Sequence, residues 1–289
     1  MVKNADSGKK TLGFISNFDK KECFVDIYMP SDPVNKPLPL VIAPHPITWT
    51  SAEDYFGGVS DLKKKEHLGY HGLSDKYQIF IAMPHGHHRK KEYCSLAYDG
   101  QMEDMAYIPN LLEKNNFPID KKRIYCCGLS MGGQESLVFA GRFPSLVAAA
   151  VVFNPIVDLA AWYEDSESST TEEFLEFAAF MNIEVGGSPT ENPDAYSKRS
   201  PIHYINSLSQ VPLLIFWSEK DSLVPRQEEK HSYRLFRAIK EKNCSAPISE
   251  FNHTVIHHYV DYSPLERYMI HEWCDYDWAL NWLSHFSHN

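Results

Sequence analysis

No apolar run in this 289-residue chain reaches the length of a membrane span, and the opening stretch MVKNADSGKKTLGF lacks the apolar core of a secretory leader. A cytoplasmic protein without membrane contact is therefore expected. Positive charge is also in deficit, with 28 Lys+Arg against 38 Asp+Glu and a formal net charge of −10. That balance excludes a general nucleic-acid binder, which needs a basic footprint. The short basic runs LKKKEH (62–67) and HHRKKEY (87–93) each run into acid and read as solvated surface. Cysteine is sparse and unpaired in pattern: residues 23, 94, 126, 127, 244 and 274 show no C-x-x-C spacing, so neither a zinc ribbon nor a redox motif is indicated. There is no internal repeat and no low-complexity linker. One domain over residues 1–289 is the expectation.

What is present is the composition of a globular enzyme, 43% hydrophobic with 13% aromatic residues. Short apolar runs bounded by breakers read as strands at 22–30, 37–46, 77–86, 122–128, 147–155, 211–217 and 247–255. Helical spacing marks 101–115, with Met102, Met105, Ala106 and Leu112 on one face and Pro109 as a local conflict. Further helices are expected at 131–144, at 225–242, and at the end of the chain, where Trp273, Tyr276, Leu280 and Leu283 recur at spacings of three and four. Strands alternating with helices imply a mainly parallel sheet covered on both faces, the α/β class. Residues 156–210 break the alternation. Their length, acidity and the helix-like TEEFLEFAAFM (171–181) point to a cap-like insertion.

Within this frame YCCGLSMGGQESL (125–137) carries the chemistry. A strand delivers Ser130 and a helix leaves it, with Gly128, Gly132 and Gly133 permitting the tight turn of a nucleophile elbow. The helix start also offers the Met131 N–H where an oxyanion would develop. A serine nucleophile needs a base, and the base an orienting carboxylate, in the chain order Ser, acid, His. Asp221, in the loop after strand 211–217, is the leading acid, with Glu219 and Asp158 as competitors and helix capping near Pro225 as its alternative use. For the base, His271 precedes the terminal helix, while His253, His257 and His258 lie on or just past the last strand. His231 falls inside a helical pattern too near the acid.

Four stretches together are similar to the α/β-hydrolase superfamily, and within it to the prolyl-oligopeptidase-like and small-carboxylesterase group. They are RIYCCGLSMGG around Ser130, GGSPTENPDAYSKRSPIHYI (186–205), LLIFWSEKDSLVP around Asp221, and HEWCDYDWALNWL (271–283). The last looks like the H-x-W segment that opens the terminal helix of such esterases, which favours His271. The resemblance implies an α/β-hydrolase fold and an acyl-enzyme mechanism without a cofactor. Only about twenty residues precede the first expected strand, too few for a further domain, which tilts the expectation from a peptidase toward a small-molecule esterase.

The chain departs from the group at PHPIT (44–48), where members usually carry His-Gly. Pro46 has no N–H, so the second oxyanion donor is expected from Ile47. His45, Trp162 and Tyr163 are the candidates for contacting a small-molecule ester substrate, with Phe174 and Phe177 as further pocket residues; cap packing would use the same side chains. MPHGHH (83–88) is read as a loop lining the cleft rather than a metal site, since His85, His87 and His88 have no carboxylate or cysteine at useful sequence spacing. Two other functions stay open: a peptidase acting on short or N-acylated peptides, and a catalytically inactive hydrolase fold used for binding.

Overall fold

The strands of this protein assemble by burial on both faces. LPLVI, FIAMP and AAVVF are buried at every position, as expected of strands covered on both sides in a parallel sheet. The computed structural model describes residues 8–47, 69–88, 94–252 and 276–288. Within them, β1 (Lys9–Ile15), β2 (Glu22–Tyr28), β3 (Leu38–Ile42), β4 (Phe80–Pro84), β5 (Ile119–Leu129), β6 (Ala149–Phe153), β7 (Leu213–Trp217) and β8 (Ile248–Asn252) form one sheet in the order β1-β2-β4-β3-β5-β6-β7-β8. The pairs β1–β2 and β2–β4 are antiparallel, and all the others are parallel.

The period-2 alternation of the strands divides the core. Ile124 and Cys126 of β5 enter one cluster, with Leu40, Ile42, Met102, Met105, Phe139 and Ile239. Tyr125, Cys127 and Leu129 enter the opposite one, with Val41, Ile81, Phe153, Leu280 and Leu283. The adjacent Cys126 and Cys127 therefore face opposite sides of the sheet, both free and fully buried, and serve as small core hydrophobes.

The helices are α1 (Tyr70–Tyr77), α2 (Asp99–Lys114), α3 (Met131–Arg142), α4 (Leu159–Glu167), α5 (Glu172–Met181), α6 (Pro193–Lys198), α7 (Ile205–Leu208), α8 (Ser232–Lys242) and α9 (Tyr276–Leu283). α2, α3 and α8 supply the first face, and α1 and α9 the second. α2 runs through Pro109 without a break. It forgoes one backbone hydrogen bond there, and burial of Met102, Met105, Ile108, Leu111 and Leu112 holds it in place.

Residues 156–210 carry α4 to α7 and a third cluster. Leu159, Trp162, Tyr163, Phe180 and Tyr196 pack there against Met131 and Val224. Two expectations from the sequence are corrected. β1 was not anticipated, because only Leu12 of its seven residues is buried and an edge strand of that kind gives little periodic signal. The helix expected from 225 begins at Ser232, since Arg226 adopts φ 59° and the preceding residues form turns.

Candidate active site at the strand ends

β5 passes into α3 through Ser130, whose backbone sits at φ 57°, ψ −121°. A non-glycine residue held there stores about 1–3 kcal/mol of strain. The turn is fixed from both sides: Ser130 N–H donates to Phe153 O of β6 at 2.9 Å, and Gln134 N–H donates to Ser130 O at 2.9 Å. Two glycines allow the approach. A Cβ on Gly132 would lie 2.1 Å from Pro44 O, and one on Gly128 would lie 2.3 Å from Gly132 O. The first turn of α3, with the Met131 N–H, is thereby seated against the loop that follows β3. Ile47, further along that loop, packs against the cluster that contains Met131.

His45 lies in the same loop. Its Nδ1 is 2.8 Å from Pro46 O and its Nε2 3.3 Å from His85 O, and the side chain is buried. Burial holds its pKa below the ordinary histidine value. The ring thus braces the loop after β3 against the loop after β4, with both nitrogens directed at carbonyls instead of at an open cleft.

The three candidate acids separate cleanly. Asp158 is spent locally: its Oδ1 caps α4 by accepting from Ala161 N–H at 3.1 Å, and its Oδ2 accepts from Arg234 at 2.8 Å. Glu219 accepts from Asn252 on the surface. Asp221 is 4% exposed in the loop after β7, where Oδ1 accepts from the N–H groups of Leu223 (3.0 Å) and Val224 (2.9 Å) and Oδ2 lies 3.4 Å from Gln227 Nε2. No helix begins near Pro225 for it to cap. His271, with His253, His257 and His258, lies outside the described residues.

Between the ends of β5 and β7, at the end of β6, stands Asn154. Sequence reasoning passed over it. Its backbone is left-handed (φ 39°), its side chain is fully buried, and neither Nδ2 nor Oδ1 has a hydrogen-bond partner among the described residues. Buried amides are rarely left in this state. The same strand-end edge therefore carries Ser130, an amide without a partner among the described residues, and a buried carboxylate side by side.

The aromatic candidates have other occupations. Trp162 is 1% exposed, and its Nε1 donates to Leu223 O at 2.8 Å, two residues past Asp221. Tyr163 is 3% exposed; its hydroxyl donates to Glu167 and accepts from Asn182 Nδ2. Both sit inside the cap cluster, and Trp162 couples that cluster to the Asp221 loop.

A polar pair early in α3, also missed, fastens the cap. Gln134 Nε2 donates to Arg199 O at 2.8 Å, while Arg199 Nη1 donates to Ser95 O at 3.0 Å. The carboxylate of Glu135 accepts from Ser95 Oγ and, at 3.1 Å, from Gln101 Nε2. Burial pushes its pKa up to about 7, against the pull of those hydrogen bonds and of Arg199. The readable signal was Gln-Glu inside an otherwise small and apolar helix start. His231 precedes α8 and is fully buried, its Nδ1 accepting from the N–H groups of Val157 (3.2 Å) and Asp158 (3.3 Å); burial pushes its pKa down to about 3.

The reading of MPHGHH also changes. His85 Nε2 lies 3.1 Å from Asp26 Oδ1, and His87 is enclosed between Asp104 and Asp19. The carboxylates missing from the local sequence arrive from elsewhere in the fold.

A model of the prolyl oligopeptidase family matches residues 96–261. An uncharacterized peptidase of Bacillus subtilis (strain 168), YtmA, is 25% identical over 162 residues, 56% of this chain and 58% of that protein; the match thus spans little more than half of the relative. Among solved structures, an S-formylglutathione hydrolase from Agrobacterium tumefaciens superposes with a TM-score of 0.65 at 18% identity, covering 98% of this chain and 97% of that one. A Pyrococcus horikoshii acylaminoacyl peptidase gives 0.67 at 17% identity, covering 96% and 41%. These likenesses show the α/β-hydrolase fold.

Proposed function

Because the chain belongs to the prolyl oligopeptidase family, we propose that it is a serine hydrolase that cleaves carboxylic esters of small molecules through an acyl-enzyme formed on Ser130. The observation that carries this reading is the strained strand-to-helix turn at Ser130, seated against the loop after β3 by Gly132.

In the proposed cycle Ser130 Oγ attacks the ester carbonyl while His271 takes its proton. Asp221, preorganised by two backbone N–H groups, holds the tautomer of that imidazole. The N–H groups of Met131 and Ile47 stabilise the tetrahedral oxyanion, each donor contributing roughly a hundredfold in rate. His271 then protonates the departing alcohol, and water releases the acyl group. No cofactor is required by this chemistry. His45 keeps the oxyanion loop in place, and Trp162 and Tyr163 set the form of the cap from within it. A cytoplasmic location goes with the proposal, supported by free thiols at Cys23, Cys126, Cys127 and Cys244.

A second reading, cleavage of short or N-acylated peptides, draws on the family itself and on the name of the Pyrococcus neighbour. Initial rates on p-nitrophenyl acetate, butyrate and octanoate, beside an N-acetyl-peptide anilide and with Ser130→Ala run in parallel, separate the two. Ester turnover exceeding anilide turnover and lost in the variant supports the esterase. The reverse ranking transfers the site to peptides, and no turnover above the variant on any substrate would mark a binding protein.

A further inference from the structure

Away from the strand ends, the turn between β1 and β2 closes over a buried cluster that the hydrolytic chemistry does not use. Cys23 comes from β2, His87 from the loop after β4, and Asp104 from α2. All three are buried, and one donor atom from each lies within 4.8 Å of the other two. Cys23 Sγ is 3.9 Å from His87 Nδ1, and His87 Nδ1 is 2.6 Å from Asp104 Oδ2.

We propose that Cys23 Sγ, His87 Nδ1 and Asp104 Oδ2 form a site for one structural divalent transition metal of the zinc type. Thiolate, imidazole and carboxylate together form a donor set suited to that ion, and not to the all-oxygen preference of calcium or magnesium. The surrounding shell has the form such a site requires. A ligating imidazole usually donates its other ring N–H to a carboxylate, and the ligating carboxylate is itself hydrogen-bonded. Here His87 Nε2 faces Asp19 Oδ2 at 3.1 Å, and Ser16 Oγ donates to Asp104 Oδ1 at 2.6 Å. The His87 backbone is also held, its N–H donating to Gln101 Oε1 at 2.7 Å.

The ring sits in a fitted recess. A Cβ on Gly100 would lie 2.7 Å from its Cε1, and the rings of Phe18 and Tyr98 stand edge-on at 6.1 and 5.6 Å. Tetrahedral zinc places such donors about 3.4–3.6 Å apart. Cys23 Sγ must therefore close on Nδ1 by about 0.3 Å and Asp104 Oδ2 open by about 0.8 Å from the distances of 3.9 and 2.6 Å. Rotation of the Asp104 carboxylate supplies the second movement. On binding, the metal replaces the proton shared by Nδ1 and Asp104 and the thiol proton of Cys23, and both protons leave to solvent. Water completes the fourth position. The ion ties the N-terminal hairpin, α2 and the loop after β4 together, three elements with no covalent link nearby.

The test uses the full chain after chelator treatment, titrated with cobalt(II) alone and followed by absorbance and by thermal melting with zinc(II). The proposal expects saturation at one equivalent, ligand-field bands of a tetrahedral ion, a thiolate-to-cobalt charge-transfer band, and a melting temperature raised by several degrees. Cys23→Ser should lose the charge-transfer band. Asp19→Asn should keep it while weakening affinity about 10- to 100-fold. Ser130→Ala should bind cobalt like the parent protein, so that failure here stays distinct from failure of the esterase reading. Absence of the charge-transfer band and of any melting shift in the parent protein would overturn the site and leave a hydrogen-bonded clamp. A band that survives Cys23→Ser would equally overturn it.

Discussion

The strand ends and the cluster under the β1–β2 turn are both polar and buried, yet they are built in opposite ways. At the strand ends the backbone does the holding. Ser130 and Asn154 sit in left-handed conformations, Asp221 Oδ1 accepts from two main-chain N–H groups, and the amide of Asn154 has no partner among the described residues. Under the hairpin, side chains hold one another. His87 meets Asp19, Asp104 and Cys23, and Asp104 also meets Ser16. Backbone-held groups with capacity left over are fit to receive a changing ligand, whereas a closed side-chain cluster is fit to fasten elements together.

Substitutions at the strand ends should therefore reduce turnover far more than stability. Asp221→Asn keeps the shape of the loop but not the charge, and ester turnover should drop roughly 10⁴-fold with little change in melting temperature. A comparable loss of both would place Asp221 with the fastening residues. Gly132→Ala introduces a Cβ 2.1 Å from Pro44 O. Displacing the loop after β3 should lower kcat about a hundredfold or more, as removal of one oxyanion donor does. Unchanged kcat in a folded variant would show that this loop takes no part.

Asn154→Gly probes the amide alone, because glycine accepts φ 39° without strain. A fall of about tenfold in kcat is expected, near the value of one positioning hydrogen bond. Equal kcat would return Asn154 to a purely conformational part.

The smallest effect on turnover is expected at His231, where the effect falls on stability. Burial pushes its folded pKa down to about 3, below the ordinary histidine value of about 6.5, so the unfolded chain takes up the proton first. The contribution is complete above about pH 6.5 and is lost as pH falls towards 3, at about 1.4 kcal/mol per pH unit. Chemical denaturation at a series of pH values should show a shallower acid decline in His231→Gln than in the parent protein. Parallel declines would assign the acid sensitivity to other groups.

How much of this was legible in the sequence follows the same division. The elbow at Ser130, the strands beside it and the place of Asp221 in the loop after β7 were readable because their determinants are local: a run of apolar residues, glycines at a turn, an acid just past a strand. The partners of His87 were not, since Asp19, Cys23 and Asp104 come from separate elements and no spacing rule joins them to MPHGHH. Trp162 and Tyr163 illustrate a different limit. Pocket lining and cap packing select the same aromatic residues, and what distinguishes them is three-dimensional: burial in the cap cluster, the bond of Trp162 Nε1 to Leu223 O, and the bonds of the Tyr163 hydroxyl with Glu167 and Asn182. β1 escaped notice because an edge strand with one buried side chain carries almost no pattern.

The most direct measurement is reaction of the folded parent protein with a fluorophosphonate, followed by intact mass and peptide mapping. One adduct on the peptide containing Ser130, absent in Ser130→Ala, is the predicted result. No adduct on the parent protein, or an adduct that persists in Ser130→Ala, would contradict Ser130 as the nucleophile.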